Sequence, residues 1–404
     1  MSASEYARYR RELANFKLAK ADDEDQTKAG ANRAGHISFP TRAQPSTPAF
    51  LQRFIKYIPD ETIFAYERVI NIIGIGEILN SIEQLTDNPS TTRVRALAGA
   101  IDSAGNIYWV DKGGSGTSSV RRLNASTNTI TNLIAPGQSI SGSQLNNPQG
   151  FTRDSAGNMA ITDSANNRLL YYSVVSTRTL YGVTCAQNEW TVILSGSPTV
   201  RKPEQLSFAP NGDIYWAEPN PSEKVQRISK AGGAVADIMT GLGAQSRVVY
   251  LDSAGNIFIM SMNGVIYMLP VVAGTYFNKY IPAPNTIPVT VGSPFVIYNN
   301  GGFLGIYGAV TDSFGNLYFN DTYNKRVRKI DFKTGAETVV AGNGSSGFQA
   351  GSVPVASATF SNSPGGMFMD SADNLYVCDG GGVNYSIRKI PYENTKVVRP
   401  GRWE

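Results

Sequence analysis

Asp102-Ser103-Ala104-Gly105-Asn106-Ile107-Tyr108 is one of six near-copies of a single phrase in this chain. The others are Asp154-Ser155-Ala156-Gly157-Asn158-Met159, Ala209-Pro210-Asn211-Gly212-Asp213-Ile214-Tyr215, Asp252-Ser253-Ala254-Gly255-Asn256-Ile257-Phe258, Asp312-Ser313-Phe314-Gly315-Asn316-Leu317-Tyr318 and Asp370-Ser371-Ala372-Asp373-Asn374-Leu375-Tyr376. They recur roughly every 45 to 60 residues, the period of a small antiparallel sheet repeated around a ring. An apolar stretch precedes the phrase, as in Met367-Phe368-Met369, and an alternating one follows, as in Leu375-Tyr376-Val377-Cys378. A tight turn between them suits the residues: Asp caps through its side chain, and Gly takes the positive φ that closes a hairpin. Asp373 stands where the other copies have Gly, and Asp tolerates the left-handed region better than most residues.

Two further strands, such as 326–330 and 337–340, complete each unit. The expectation is therefore an all-β chain, a six-bladed β-propeller with four-stranded antiparallel blades, preceded by an N-terminal helix and an extended arm. Forty glycines, 21 prolines and 17% charged residues suit many turns and few surface helices. The net charge of +4 is mild, with no dense Lys/Arg block to dominate binding to phosphates. The pairs Arg121-Arg122, Lys325-Arg326 and Arg388-Lys389 fall in third strands, where they are expected to be solvated blade edges rather than a nucleic-acid path. The first dozen residues carry Glu5, Arg8, Arg10, Arg11 and Glu12 and no apolar core of a signal peptide, and no apolar run is long enough to span a bilayer. A virion or cytoplasmic location is expected. Two cysteines, Cys185 and Cys378, sit in different units; a buried free thiol is expected at Cys378.

Residues 1–60 differ in character from 61–404. Ser2 and Glu5 have the spacing of a capping box, and Tyr6, Tyr9, Leu13 and Phe16 recur at helical intervals. This predicts a short amphipathic helix whose aromatic stripe docks on the chain's own propeller or on a partner subunit. Residues 26–50, rich in Ala, Gly, Thr, Ser and Pro, read as an extended arm. Residues 61–90 are a candidate for closing the ring: 66–76 resemble the outer strand 336–344 and compete for the outer edge of blade six with Lys396-Val397-Val398. The N-terminal segment is the preferred of the two, because such closure removes an exposed edge.

Asn147-Pro148-Gln149-Gly150-Phe151-Thr152-Arg153-Asp154, continued by 161–169, resembles an NHL repeat. So does Asn320-Asp321-Thr322-Tyr323-Asn324-Lys325-Arg326-Val327-Arg328-Lys329-Ile330, and 339–348 is similar to the loop joining NHL blades. The resemblance covers about residues 90 to 404 and implies a propeller. It fixes function less well, since related propellers bind proteins, bind RNA, hydrolyse lactones or hold assemblies together.

The chemistry is sparse. The one histidine, His36, lies in the arm, which excludes a histidine-zinc lyase and a Ser-His-Asp triad within the ring. Gly342-Asn343-Gly344-Ser345-Ser346-Gly347 matches Gly-x-Gly-x-x-Gly but has no helix after it, so it reads as an interblade loop. Lactonase-type propellers hold a calcium ion with acids from several blades, and Asp111, Asp163, Glu218, Asp321 and Asp379, each ending a second strand, are the candidates here. Their regular recurrence favours turn residues bonding local backbone. No cofactor or resident metal is expected. The leading expectation is a non-enzymatic structural or docking propeller with protein subunits as partners. Its specific form is a virion component, phage tail or capsid-associated, tethered by the arm through Tyr6, Tyr9, Leu13 and Phe16. The alternatives are a calcium-dependent lactonase or esterase, and an RNA-binding propeller whose Arg and Lys cluster on one face.

Overall fold

The computed structural model describes residues 81–84, 96–112, 116–196, 199–219, 223–240, 246–281, 295–299, 305–347, 353–361, 364–381 and 384–392. All belong to the unit Asn80–Glu404. The expected helix with Tyr6, Tyr9, Leu13 and Phe16, the expected arm with His36, the 60/61 boundary and segments 66–76 and 396–398 lie outside the described residues.

Six antiparallel sheets follow one another along the chain, each running from an inner strand outwards. Blade one is Ala96–Ile101, Ile107–Asp111, Ser119–Asn124 and Thr129–Ile134. Blade two is Pro148–Arg153, Met159–Asp163, Arg168–Tyr172 and Trp190–Ser195. Blade three is Leu206–Phe208, Ile214–Glu218, Lys224–Ile228 and Ala236–Met239. Blade four is Ser246–Leu251, Ile257–Ser261, Val265–Leu269 and Phe295–Asn299. Blade five is Ala309–Thr311, Leu317–Asp321, Arg326–Ile330 and Glu337–Ala341. Blade six is Pro364–Met369, Leu375–Gly381 and Asn384–Ile390, with Ser81–Gln84 along its outer side. The closing strand thus comes from the N-terminal side, at 81–84.

The phrase that set the period builds the turn between inner and second strands. In blade one the Asp102 N–H donates to the Asn106 carbonyl and the Gly105 N–H to the Asp102 carbonyl, with Gly105 at φ 81°. This is a type I turn closed by a left-handed residue. One Asp102 carboxylate oxygen accepts from the N–H groups of Ala104 and Asn106, the other from the Asn106 amide and the Tyr108 hydroxyl. The Asn106 side-chain oxygen Oδ1 then accepts from the Ala125 N–H, tying the turn to the end of the third strand. Asn158, Asn256, Asn316 and Asn374 make the same reach to Val174, Val271, Phe332 and Tyr392. Blade three puts Asp213 in the Asn place: it accepts from the Lys230 N–H and pairs with Arg227 at 2.5 Å. Asp373, at φ 59°, adds a link between blades, since both the N–H and the hydroxyl of Ser313 donate to its carboxylate.

The core lies between blades. Alternate residues of a strand face opposite sides of its sheet, so each blade packs on both neighbours. Leu317 and Phe319 join the Phe258/Met260/Met268 cluster of blade four, while Tyr318 joins the Met367/Leu375/Val377 cluster of blade six. Corresponding clusters fill the remaining interfaces, including Trp109 and Ile107 against Phe368, Tyr376 and Cys378 where blade one meets blade six. This explains why second strands such as Ile107–Asp111 and Leu317–Asp321 are buried at every residue. Cys185 and Cys378 are both free and buried; burial pushes both thiols up.

At the axis the inner strands approach so closely that glycine is required. A Cβ on Gly308 would lie 2.7 Å from the Gly366 Cα, and one on Gly365 would lie 2.6 Å from the Leu97 carbonyl oxygen. Two hairpins inserted before the outer strands of blades two and four, Arg178–Leu180 with Val183–Cys185 and Gly274–Tyr276 with Lys279–Ile281, strap each blade to the next. The Tyr181 N–H donates to the Lys230 carbonyl and the Phe277 N–H to the Phe332 carbonyl.

Candidate binding pocket at the channel mouth

Asp111, Asp163, Glu218, Asp321 and Asp379 are all buried at the ends of their second strands. They do more than serve a local turn. Asp163 accepts from the N–H of Asn146, Glu218 from that of Arg201 and Asp379 from that of Ser361, in each case 17 or 18 residues upstream. The acid therefore fixes the loop that delivers the chain to its own blade. In blade five the neighbouring Asn320 takes this role, accepting from the N–H groups of Tyr307 and Gly308.

Four of the five also pair with an arginine of the third strand: Asp111 with Arg121 at 2.8 Å, Asp163 with Arg168 at 2.7 Å, Asp321 with Arg328 at 2.5 Å and Asp379 with Arg388 at 3.4 Å. This corrects in part the expectation that third-strand charges are solvated: Arg121 and Arg388 are buried, at 9% and 0% exposure, while Arg122, Lys325, Arg326 and Lys389 are half-buried. The reason is register. Asp111 faces Ser119 and Asp379 faces Ser386, so the arginine two residues further along lies on the same side of the sheet as the acid. Arg168 goes further, donating to the carbonyls of Ile140 and Ser143 in the incoming loop, as Arg388 does to that of Thr359. Among the described residues no three of His, Cys, Asp and Glu come together in a way that could hold a metal ion.

The channel itself is lined by inner strands, with Gly99, Ala100, Val249, Gly308 and Met367 among the residues around a cavity of about 210 Å³. Its polar character changes at the end where inner strands begin. There the inner strands of blades one, two, four and six have a bulge, seen as register shifts at Ala96/Ala98, Pro148/Gly150, Ser246/Val248 and Pro364/Met367. In blade three the Glu204 N–H donates to the Ala217 carbonyl while the Ala217 N–H donates to Gln205, so two residues oppose one. A bulge re-aims a side chain, and the residues so placed are Leu97, Gln149, Glu204, Arg247 and Gly365, with Tyr307 just before the inner strand of blade five. From blade two to blade five they form a connected polar arc. The Gln205 amide donates to the Gln149 carbonyl, Arg247 Nη1 to Glu204 at 3.0 Å, and the Arg247 guanidinium lies 5.6 Å from the Tyr307 ring centroid.

Beside this arc is a cavity of about 370 Å³ lined by Asn147, Gln149, Ser164, Lys202, Glu204 and Arg247 among others. Asn147 and Lys202 both have left-handed backbone, at φ 52° and 46°. Burial pushes the Glu204 carboxyl above its ordinary range, against the opposing pull of Arg247 and Lys112. Reasoning from sequence missed this arc. Its signal was the residue after proline in Asn147-Pro148-Gln149, Lys202-Pro203-Glu204 and Ser363-Pro364-Gly365, which is a bulge position rather than part of the repeated phrase.

No protein-family profile matches the sequence, and no curated protein matches it. Solved structures share its shape at low identity. An auxiliary nutrient-binding protein from Bacteroides thetaiotaomicron has a TM-score of 0.54 at 13% identity, over 77% of this chain and 76% of that one. A gluconolactonase from Xanthomonas campestris has 0.50 at 12%, over 77% and 89%. A catalytically inactive virginiamycin B lyase from Staphylococcus aureus has 0.48 at 10%, over 74% and 81%. The first two likenesses show the propeller fold and nothing finer.

Proposed function

We propose that this chain is a non-enzymatic docking propeller in a larger assembly. The observation that carries this reading is the use made of the five second-strand acids. Each hydrolase-type ligand candidate is engaged inside its own blade, by an arginine, a tryptophan or a loop N–H. Four arginines are drawn into the blades by the same pairing, which favours protein partners over an RNA path across one face. In the finer form of the proposal the assembly is a virion, the residues before the ring form its tether, and Tyr6, Tyr9, Leu13 and Phe16 contact a neighbouring subunit. The low charge and the abundance of glycine support that form.

Light scattering on the full chain, with and without residues 1–50, tests it. A mass well above one 43.6 kDa chain that falls on truncation is expected; a monomer unaffected by truncation overturns the tether. One observation favours a second reading. Glu204, with its raised carboxyl beside a polar cavity, has the setting of a general acid, and ester or lactone turnover abolished by Glu204→Gln is its signature.

A further inference from the structure

We propose that the cavity beside the bulge arc is a binding site for a small monocarboxylate, about the size of one sugar ring or one acidic side chain. Its volume, about 370 Å³, falls within the range of small-ligand sites. The charges on its wall set the ligand's charge. Of the charged residues only Lys202, Arg247 and Glu204 line it, Lys112 acting on Glu204 from outside the lining, so the wall carries one more cation than acid, an excess that a single negative group neutralises. A dianion such as phosphate meets the Glu204 carboxylate in the same cavity and is disfavoured. Asn147, Gln149 and Ser164 add amides and a hydroxyl, able both to donate to and to accept from a hydroxylated ligand.

Two further features belong to a site rather than a scaffold. The arc breaks the ring's symmetry, because equivalent bulge positions hold Leu97 in blade one and Gly365 in blade six. Lys202 is an exposed lysine held at positive φ, and backbone held in this region concentrates at functional sites. The charge balance also responds to pH. The charged groups facing Glu204 are Arg247 and Lys112, with Lys202 on the same wall. As the pH falls and Glu204 takes up a proton, the wall becomes more cationic and holds a carboxylate more tightly.

Calorimetric titration of the full-length chain with D-glucuronate, D-glucose, inorganic phosphate and acetyl-Gly-Asp-Gly-amide tests the site. The expected result is binding of glucuronate or of the peptide at least about tenfold tighter than of glucose or phosphate. Glucuronate alone indicates a free small molecule, and the peptide alone an acidic side chain of a protein. Lys202→Gln, at an exposed residue, weakens that binding several-fold with no change in melting temperature, and Arg247→Gln weakens it further. The proposal is overturned if neither carboxylate binds, if glucose or phosphate binds as well as they do, or if Lys202→Gln leaves binding unchanged. These readouts are independent of particle mass, so the docking reading and this site stand or fall separately.

Discussion

Asp163–Arg168 and Glu204–Arg247 are the same chemical pair in two settings. The first joins residues five apart within one blade, is buried on both sides and recurs in blades one, five and six. The second joins blade three to blade four across 43 residues, at 3.0 Å, and occurs once. A buried ion pair repeated with the fold belongs to the fold, because each copy solves the same local problem of fixing an incoming loop. A pair made by bulge residues that differ from blade to blade has no such problem to solve. Its surroundings, not its chemistry, mark it as the candidate site.

The contrast can be broken by mutation. Asp379→Ala leaves the fully buried Arg388 without its carboxylate, and about 3–5 kcal/mol of unfolding free energy is expected to be lost in denaturant titration. The next effect tests the inner wall that carries the arc. Gly308→Ala places a methyl against the backbone of Gly366 and Met367, and a loss of about 1–3 kcal/mol is expected. Asp102→Ala removes the acceptor of four hydrogen bonds in one turn; about 1–2 kcal/mol is expected by the same measurement. Glu204→Gln stands at the small end, with a stability change under about 1 kcal/mol, because its side chain and that of Arg247 remain partly solvated.

The pH dependence separates the two classes by sign. Burial pushes the Asp102 carboxyl up, but its hydrogen bonds from Asn106 and Tyr108 prevail and hold it below the ordinary value of 3.8. Its contribution is present above that value and lost as the pH falls through the lowered one. Glu204 is raised above 4.5, so the folded chain holds its proton longer than the unfolded chain does. Its contribution is greatest below 4.5 and declines as the pH rises through the raised value. Asp102→Asn is expected to flatten the acid limb of the stability profile, and Glu204→Gln the slope just above the ordinary carboxylate range.

Much of the fold was legible because its signals are local. Asp, Gly and Asn at fixed offsets define a turn whether or not the rest of the chain is known, and Asp373 confirms it by taking the glycine's conformation. The inward arginines were harder to read. Alternation gives two faces to a strand, and in a blade packed on both sides neither face is solvent. Ring closure was legible as a need, while its placement at Ser81–Gln84 depends on pairing with residues near 388. The arc was illegible for a different reason. Gln149, Glu204 and Arg247 share nothing but a bulge, and a bulge is a property of pairing rather than of composition.

The strand Ser81–Gln84 has a consequence for how the molecule is made. It is synthesised before any blade, yet its partner Asn384–Ile390 follows some 300 residues later. Blades one to five draw their strands from consecutive sequence and are free to form as they emerge. The sixth must wait, holding its outer strand in reserve for some 300 residues, and pairing over such a distance is intrinsically slow. Completion of the ring thus waits on residues 384–390: a product ended before them leaves blade six without its third strand and Ser81–Gln84 without that partner.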